Sequence, residues 1–108
     1  MSEKDCMSPH KAAVRLLSIA EDDIAEIITY IATENGIAAA KFADKVEARL
    51  AQLADYPSLG RIPAEEELAR LGYRYLVIDN YLVFYTLTTK TVLIHRIIHG
   101  ARDYLNLL

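Results

Sequence analysis

The chain has 108 residues, of which 53% are hydrophobic and 25% charged, with a net charge of −3. That length holds one domain and leaves no room for a second core, and four glycines and three prolines exclude a disordered or low-complexity chain. Cys6 is the single cysteine, which rules out an intrachain disulfide, and every apolar run falls far short of the ~20 residues of a membrane span.

In chain order, Met1 to Pro9 lacks periodicity and has no signal-peptide core. Residues 1–10 are expected to form a flexible leader, with a single domain over 11–108. Lys11 to Leu17 reads as a short strand around Val14, Leu16 and Leu17. Ser18-Ile19-Ala20-Glu21 has the capping-box pattern that opens a helix, and Glu21, Asp22 and Asp23 would then sit against the positive end of its dipole. Ile24, Ile27, Ile28 and Ile31 follow at helical spacing and define a face to be buried.

Asn35-Gly36 reads as a helix stop because both residues tolerate positive φ. The helical period restarts with Ala39, Phe42, Ala43, Val46, Leu50 and Leu53, up to Tyr56-Pro57. After a loop over residues 57–63, Ala64 to Leu71 is a candidate short helix. From Gly72 the period changes to two: Tyr73 to Ile78, Tyr81 to Leu87 and Thr91 to Ile98 are rich in β-branched and aromatic residues, and links as short as Asp79-Asn80 imply an antiparallel meander. The expectation is an α+β domain: an N-terminal strand, a helical hairpin, then a three-stranded antiparallel meander, forming one sheet with the hairpin on one face.

Charge is unevenly spread. Residues 1–19 hold three bases and two acids, 20–56 three and eight, and 57–108 six and five. With Glu65, Glu66 and Glu67 set aside as a solvated turn or helix start, the last segment is dominated by Arg61, Arg70, Arg74, Arg96 and Arg102. This indicates a local basic surface and not a generally basic nucleic-acid binder.

Several stretches resemble the RelE/ParE superfamily of type II toxin–antitoxin toxins. They are the Ile-rich first helix, the Asn35-Gly36 break, Ala38-Ala39-x-x-Phe42 opening the second helix, and Leu53-Ala54-x-Tyr56-Pro57-x-Leu59-Gly60-Arg61. Gly72-Tyr73-Arg74, Asn80-Tyr81-Leu82-Val83-Phe84-Tyr85 and Arg96-Ile97-Ile98-His99-Gly100-Ala101-Arg102-Asp103 continue the likeness, which spans about Val14 to Leu105. The resemblance implies that the first strand pairs with the last. It also implies a growth-inhibiting toxin of a plasmid-stabilisation type of module; the single cysteine suits a cytoplasmic location, and the residues suggest no cofactor and no metal site.

Two activities are known in that superfamily. RelE-like members cut messenger RNA on the ribosome, which requires a base, an acid and cations around the phosphorane; ParE-like members poison DNA gyrase. In this sequence Tyr81-Leu82-Val83-Phe84-Tyr85 lacks the arginine of RelE-like strands, and the late tyrosine position is taken by Leu107-Leu108, with Tyr104 upstream. Ile97-Ile98-His99-x-x-x-Asp103 instead resembles the ParE-like closing segment. The resemblance therefore implies a gyrase-binding toxin, with a ribosome-dependent endonuclease as the first alternative and a non-toxic, degenerate binding module as the second.

If the protein is a nuclease, His99, Arg102 and Tyr104 are its candidate catalytic residues; Arg61, Arg74, Arg96 and Arg102 are the candidates for holding target or phosphate. Arg74 and Arg96 lie in apolar strands where an unpaired guanidinium is costly, so each has to reach solvent, a carboxylate or a partner. Tyr73, Tyr75, Tyr81 and Tyr85 either stack on a partner or form half-buried sheet packing with hydroxyls at the rim. His10 and His95 lack partners at metal-ligand spacing. The implied partners are a cognate antitoxin, gyrase or the ribosome, operator DNA only through the antitoxin, no membrane, and a second copy of the chain as an option.

Overall fold

A computed structural model describes residues 12–100 and 107–108; the expected leader, Arg102 and Tyr104 lie outside them. The order is β1 (Ala13–Leu16), α1 (Ser18–Ala32), α2 (Gly36–Asp55), α3 (Glu66–Arg70), β2 (Arg74–Ile78), β3 (Tyr81–Leu87) and β4 (Thr91–His99). The four strands form one sheet in the order β1-β4-β3-β2. The meander is antiparallel, while β1 lies parallel to β4, from Ala13 opposite Thr91 to Leu16 opposite Ile94. This is the α+β architecture expected from the sequence.

Two local expectations are corrected. The capping box at Ser18 does not form: Leu17 is the N-cap, without a side-chain bond. The Leu17 N–H is still tied to the Ile94 carbonyl at 3.0 Å, so the chain leaves the sheet at Leu17 and Ser18 is already helical. Asn35 breaks the helices, but not through positive φ. Its backbone is extended (φ −159) and its side chain accepts the N–H groups of Ile37 and Ala38 at 3.0 and 3.1 Å, so it starts α2 as an N-cap. Positive φ appears at Gly72 (φ 87), where the chain turns out of α3 in the left-handed geometry that glycine adopts without a Cβ penalty.

The hairpin face of the sheet carries the main core. Phe42, Val46 and Leu53 of α2 pack with Leu76, Ile78, Val83, Tyr85, Val92, Ile94 and Ile97, and Ile24, Ile27, Ile28 and Ile31 of α1 close over them. Burying a side chain of this size contributes about 1.5–3 kcal/mol. A smaller cluster of Leu68, Phe84 and Ile98 occupies the opposite face, with Tyr73, Tyr75, Leu82, Leu107 and Leu108 around it.

One irregularity sorts β4 between the two faces. Phe84 pairs with Arg96 but Tyr85 pairs with Ile94, leaving His95 as the extra residue of a β-bulge. The period of two therefore slips by one: Ile94 and Ile97 both enter the hairpin-side core, and Ile98 goes to the other face. Without the bulge, residue 96 and not 97 would follow 94 into the core.

Candidate functional site

β1 pairs with β4 only as far as Ile94, whereas β4 runs to His99. The exposed ladder beyond β1 is met by Asp23 of α1. Asp23 Oδ2 accepts the N–H of Ile97 at 3.0 Å and Nε of Arg96 at 2.8 Å, and Oδ1 accepts Nη2 of Arg96 at 3.0 Å. One carboxylate thus substitutes for the missing strand and neutralises the arginine in a two-pronged, charge-assisted pair. Nη1 of Arg96 donates to the Leu107 carbonyl at 3.1 Å, joining the end of the chain to the same knot. Hydrogen bonding to the Asp23 carboxylate makes the Arg96 guanidinium hold its proton more tightly than usual.

Beside this knot is a cleft of about 350 Å³ whose walls include Asp23, Glu26, Tyr30, Tyr81, Arg96 and His99. The ring of Tyr81 meets His99 edge-on at 5.3 Å and Phe42 at 5.3 Å, so the core orients the aromatic wall. The cleft mixes carboxylates, phenols and an imidazole, and its arginine is already compensated by Asp23. That chemistry suits a polypeptide surface better than a phosphate.

At the other edge of the sheet, residues 57–61 are pinned to β2 and β3. The Tyr85 side chain is fully buried; its hydroxyl donates to the Pro57 carbonyl at 2.9 Å and accepts the Gly60 N–H at 2.8 Å. Burial raises its pKa, opposed by the Gly60 bond and by Arg74. Arg74 Nη1 donates to the carbonyls of Gly60 (3.0 Å) and Ser58 (3.4 Å). A Cβ on Gly60 would stand 2.5 Å from the Tyr85 hydroxyl and 2.9 Å from the Tyr75 carbonyl, so this turn requires glycine.

The sequence candidates therefore fall into two groups separated by β3. Arg61 and Arg74 lie along β2, Arg74 directed to loop carbonyls; Arg96 and His99 lie at the far end of β4, Arg96 directed to Asp23. Among the described residues, no group of three or more His, Cys, Asp or Glu is arranged to hold a metal ion, and no helix is long and apolar enough to cross a membrane.

The model of the ParE toxin of type II toxin–antitoxin systems (parDE) matches residues 14–104. The chain belongs to the ParE toxin family. A solved structure of the chromosomal ParDE toxin–antitoxin system from P. aeruginosa is similar over 83% of this chain and 97% of its own, with 18% identity and a TM-score of 0.68. The toxin–antitoxin complex RelBE2 from Mycobacterium tuberculosis is similar over 85% of this chain and 94% of its own, with 24% identity and a TM-score of 0.55. At those identities the two structures share the fold. Comparison with curated protein sequences finds no match.

Within this ParE-family chain, Asp23 is the residue that sequence reasoning misplaced. It was expected to serve the α1 dipole, yet it is buried and paired with a strand residue 73 positions away. A lone arginine inside an apolar strand was the available signal that some carboxylate had to face it. Tyr85 was expected either to stack on a partner or to pack half-buried with its hydroxyl at the rim, and is instead the buried pin of the Pro57–Gly60 turn. His95, with no ligand partners in sequence, bridges Tyr73 (Nδ1 to the hydroxyl, 3.4 Å) and Thr86 (Nε2 to Oγ1, 2.9 Å) on the second face, where burial lowers its pKa.

Proposed function

We propose that this ParE-family toxin inhibits growth by binding DNA gyrase, not by cutting messenger RNA, and that a cognate antitoxin neutralises it. One observation carries the choice of mechanism: two of the arginines that a nuclease would turn on a phosphate, Arg74 and Arg96, are committed elsewhere. Arg96 is held by Asp23 and the Leu107 carbonyl, and Arg74 by the carbonyls of Ser58 and Gly60. The β3 run Tyr81 to Tyr85 adds no cation between them. Stabilising a phosphorane requires donors aimed at one point, and these two guanidinium groups are aimed at opposite edges of the sheet.

The reading assigns target contact to the cleft at the end of β4, with His99 in its wall; Arg102, outside the described residues, is the candidate that the sequence adds. Its test is a paired assay on the purified toxin. Gyrase-driven supercoiling should be inhibited at near-stoichiometric toxin, and ribosome-bound message should remain intact. Cleavage of the message at low stoichiometry with supercoiling unaffected would establish the endonuclease instead, and unimpaired growth on expression without the antitoxin would establish the degenerate module.

A further inference from the structure

We infer that the outer edge of β2, with Arg49 and Arg61 beside it, is a docking rail for an extended acidic segment of the partner protein, which on the reading above is the antitoxin. The backbone supplies the first argument. Tyr75 and Arg61 exchange reciprocal bonds, N–H to carbonyl, at 2.9 and 2.8 Å, so the polar groups of Tyr75 face away from β3. With a period of two, those of Val77 face the same way. Continuing the antiparallel pairing would bring Leu59 opposite Val77, but the Leu59 N–H turns back to the Tyr56 carbonyl at 2.9 Å. The ladder thus ends one step early, with an open donor and acceptor at Val77 and a template for strand addition.

Side chains around that step define the occupant. Val77 and Leu59 are 47% and 41% exposed, and side by side at the open edge they offer a seat for an apolar side chain. Two small clefts meet there: one of about 110 Å³ includes Arg49, Leu59, Arg61 and Val77, and one of about 230 Å³ includes Lys45, Arg49 and Val77. Lys45 is engaged by Asp79 at 2.8 Å, and Arg49 donates through Nη1 to Gln52, which leaves its remaining donors for another group. Arg61 makes no side-chain bond to any described residue. On a chain of net charge −3 this edge is locally positive, which steers an acidic segment towards it. A second copy would bring Arg49 and Arg61 against their own like charges.

The test uses the toxin with the product of its adjoining reading frame as the probe, measuring Kd at two salt concentrations. Val77→Pro removes the outward N–H and the valine side chain at an edge-strand position, where sheets tolerate proline. Arg49→Glu with Arg61→Glu reverses the rim charge. Arg15→Glu, on the exposed face of β1 at the opposite edge, is the control. Each of the first two variants should weaken binding about tenfold or more, the charge reversal should also flatten the salt dependence, and the control should bind as wild type, with all variants melting as folded proteins. Wild-type affinity in both test variants overturns the docking assignment and leaves the toxin reading intact, whereas a wild-type chain that the probe does not bind overturns both.

Discussion

Asp23→Ala removes the acceptor of both prongs of Arg96 and of the Ile97 N–H at once. The side chains of Asp23 and Arg96 are 11% and 19% exposed, so solvent screening is a minor discount. Breaking such a pair from one side costs about 3–5 kcal/mol because the surviving charge is left uncompensated. The orphaned N–H adds about 1 kcal/mol, the low end of its range, since the adjoining cleft admits water. The expected loss is about 4–6 kcal/mol, a large share of the ~5–15 kcal/mol of a typical domain.

The chain has no tryptophan, so urea unfolding is followed by far-UV circular dichroism. With an m-value of about 2 kcal/mol/M, the midpoint should fall by about 2–3 M. Replacing both partners, Asp23→Leu with Arg96→Met, should cost less than Asp23→Ala alone, because no charge remains buried. A midpoint shift below about 0.5 M for Asp23→Ala, or strict additivity of the two single replacements, would refute the knot as the anchor of the β4 end.

Gly60→Ala should destabilise by about 1–3 kcal/mol, since the new Cβ meets the Tyr75 backbone and a buried ring; Tyr85→Phe should cost about as much by orphaning the Gly60 N–H and the Pro57 carbonyl. Both are read as shifts in the urea midpoint, and an unchanged midpoint for either would contradict the pinned turn. His95 predicts a pH effect. Burial holds its folded pKa below the ordinary histidine value of 6.5, so below that pH the unfolded chain takes up a proton that the folded chain resists. Stability should fall as pH drops through and below 6.5, and be unaffected by this residue above it. Thermal melts from pH 8 to 5 check this: the acid loss should shrink in His95→Gln, and an identical profile in the variant would exclude His95 as its source.

Much of the candidate surface could be read from residue order, but its division could not. The strands carrying Arg74, Arg96 and His99 were legible because runs of β-branched and aromatic residues are set apart by Asp79-Asn80 and by Thr88 to Lys90. That Arg74 and Arg96 face opposite edges was not legible. It depends on Asp23 and the Gly60 carbonyl, which are distant in sequence and carry no local mark of their destination.

Local interactions decided what the sequence alone determined: the two helices, the three meander strands, the break at Asn35 and the change from a period of 3.6 to one of two. Each follows from side-chain spacing and turn chemistry within a few residues. Only the tertiary structure decided the bulge at His95, the early end of β1 at Leu16, and the use of Asp23 to finish the edge that β1 leaves bare. These features answer to the need for every buried N–H and charge to find a partner, and that partner is chosen by the packed chain, not by its neighbours in sequence.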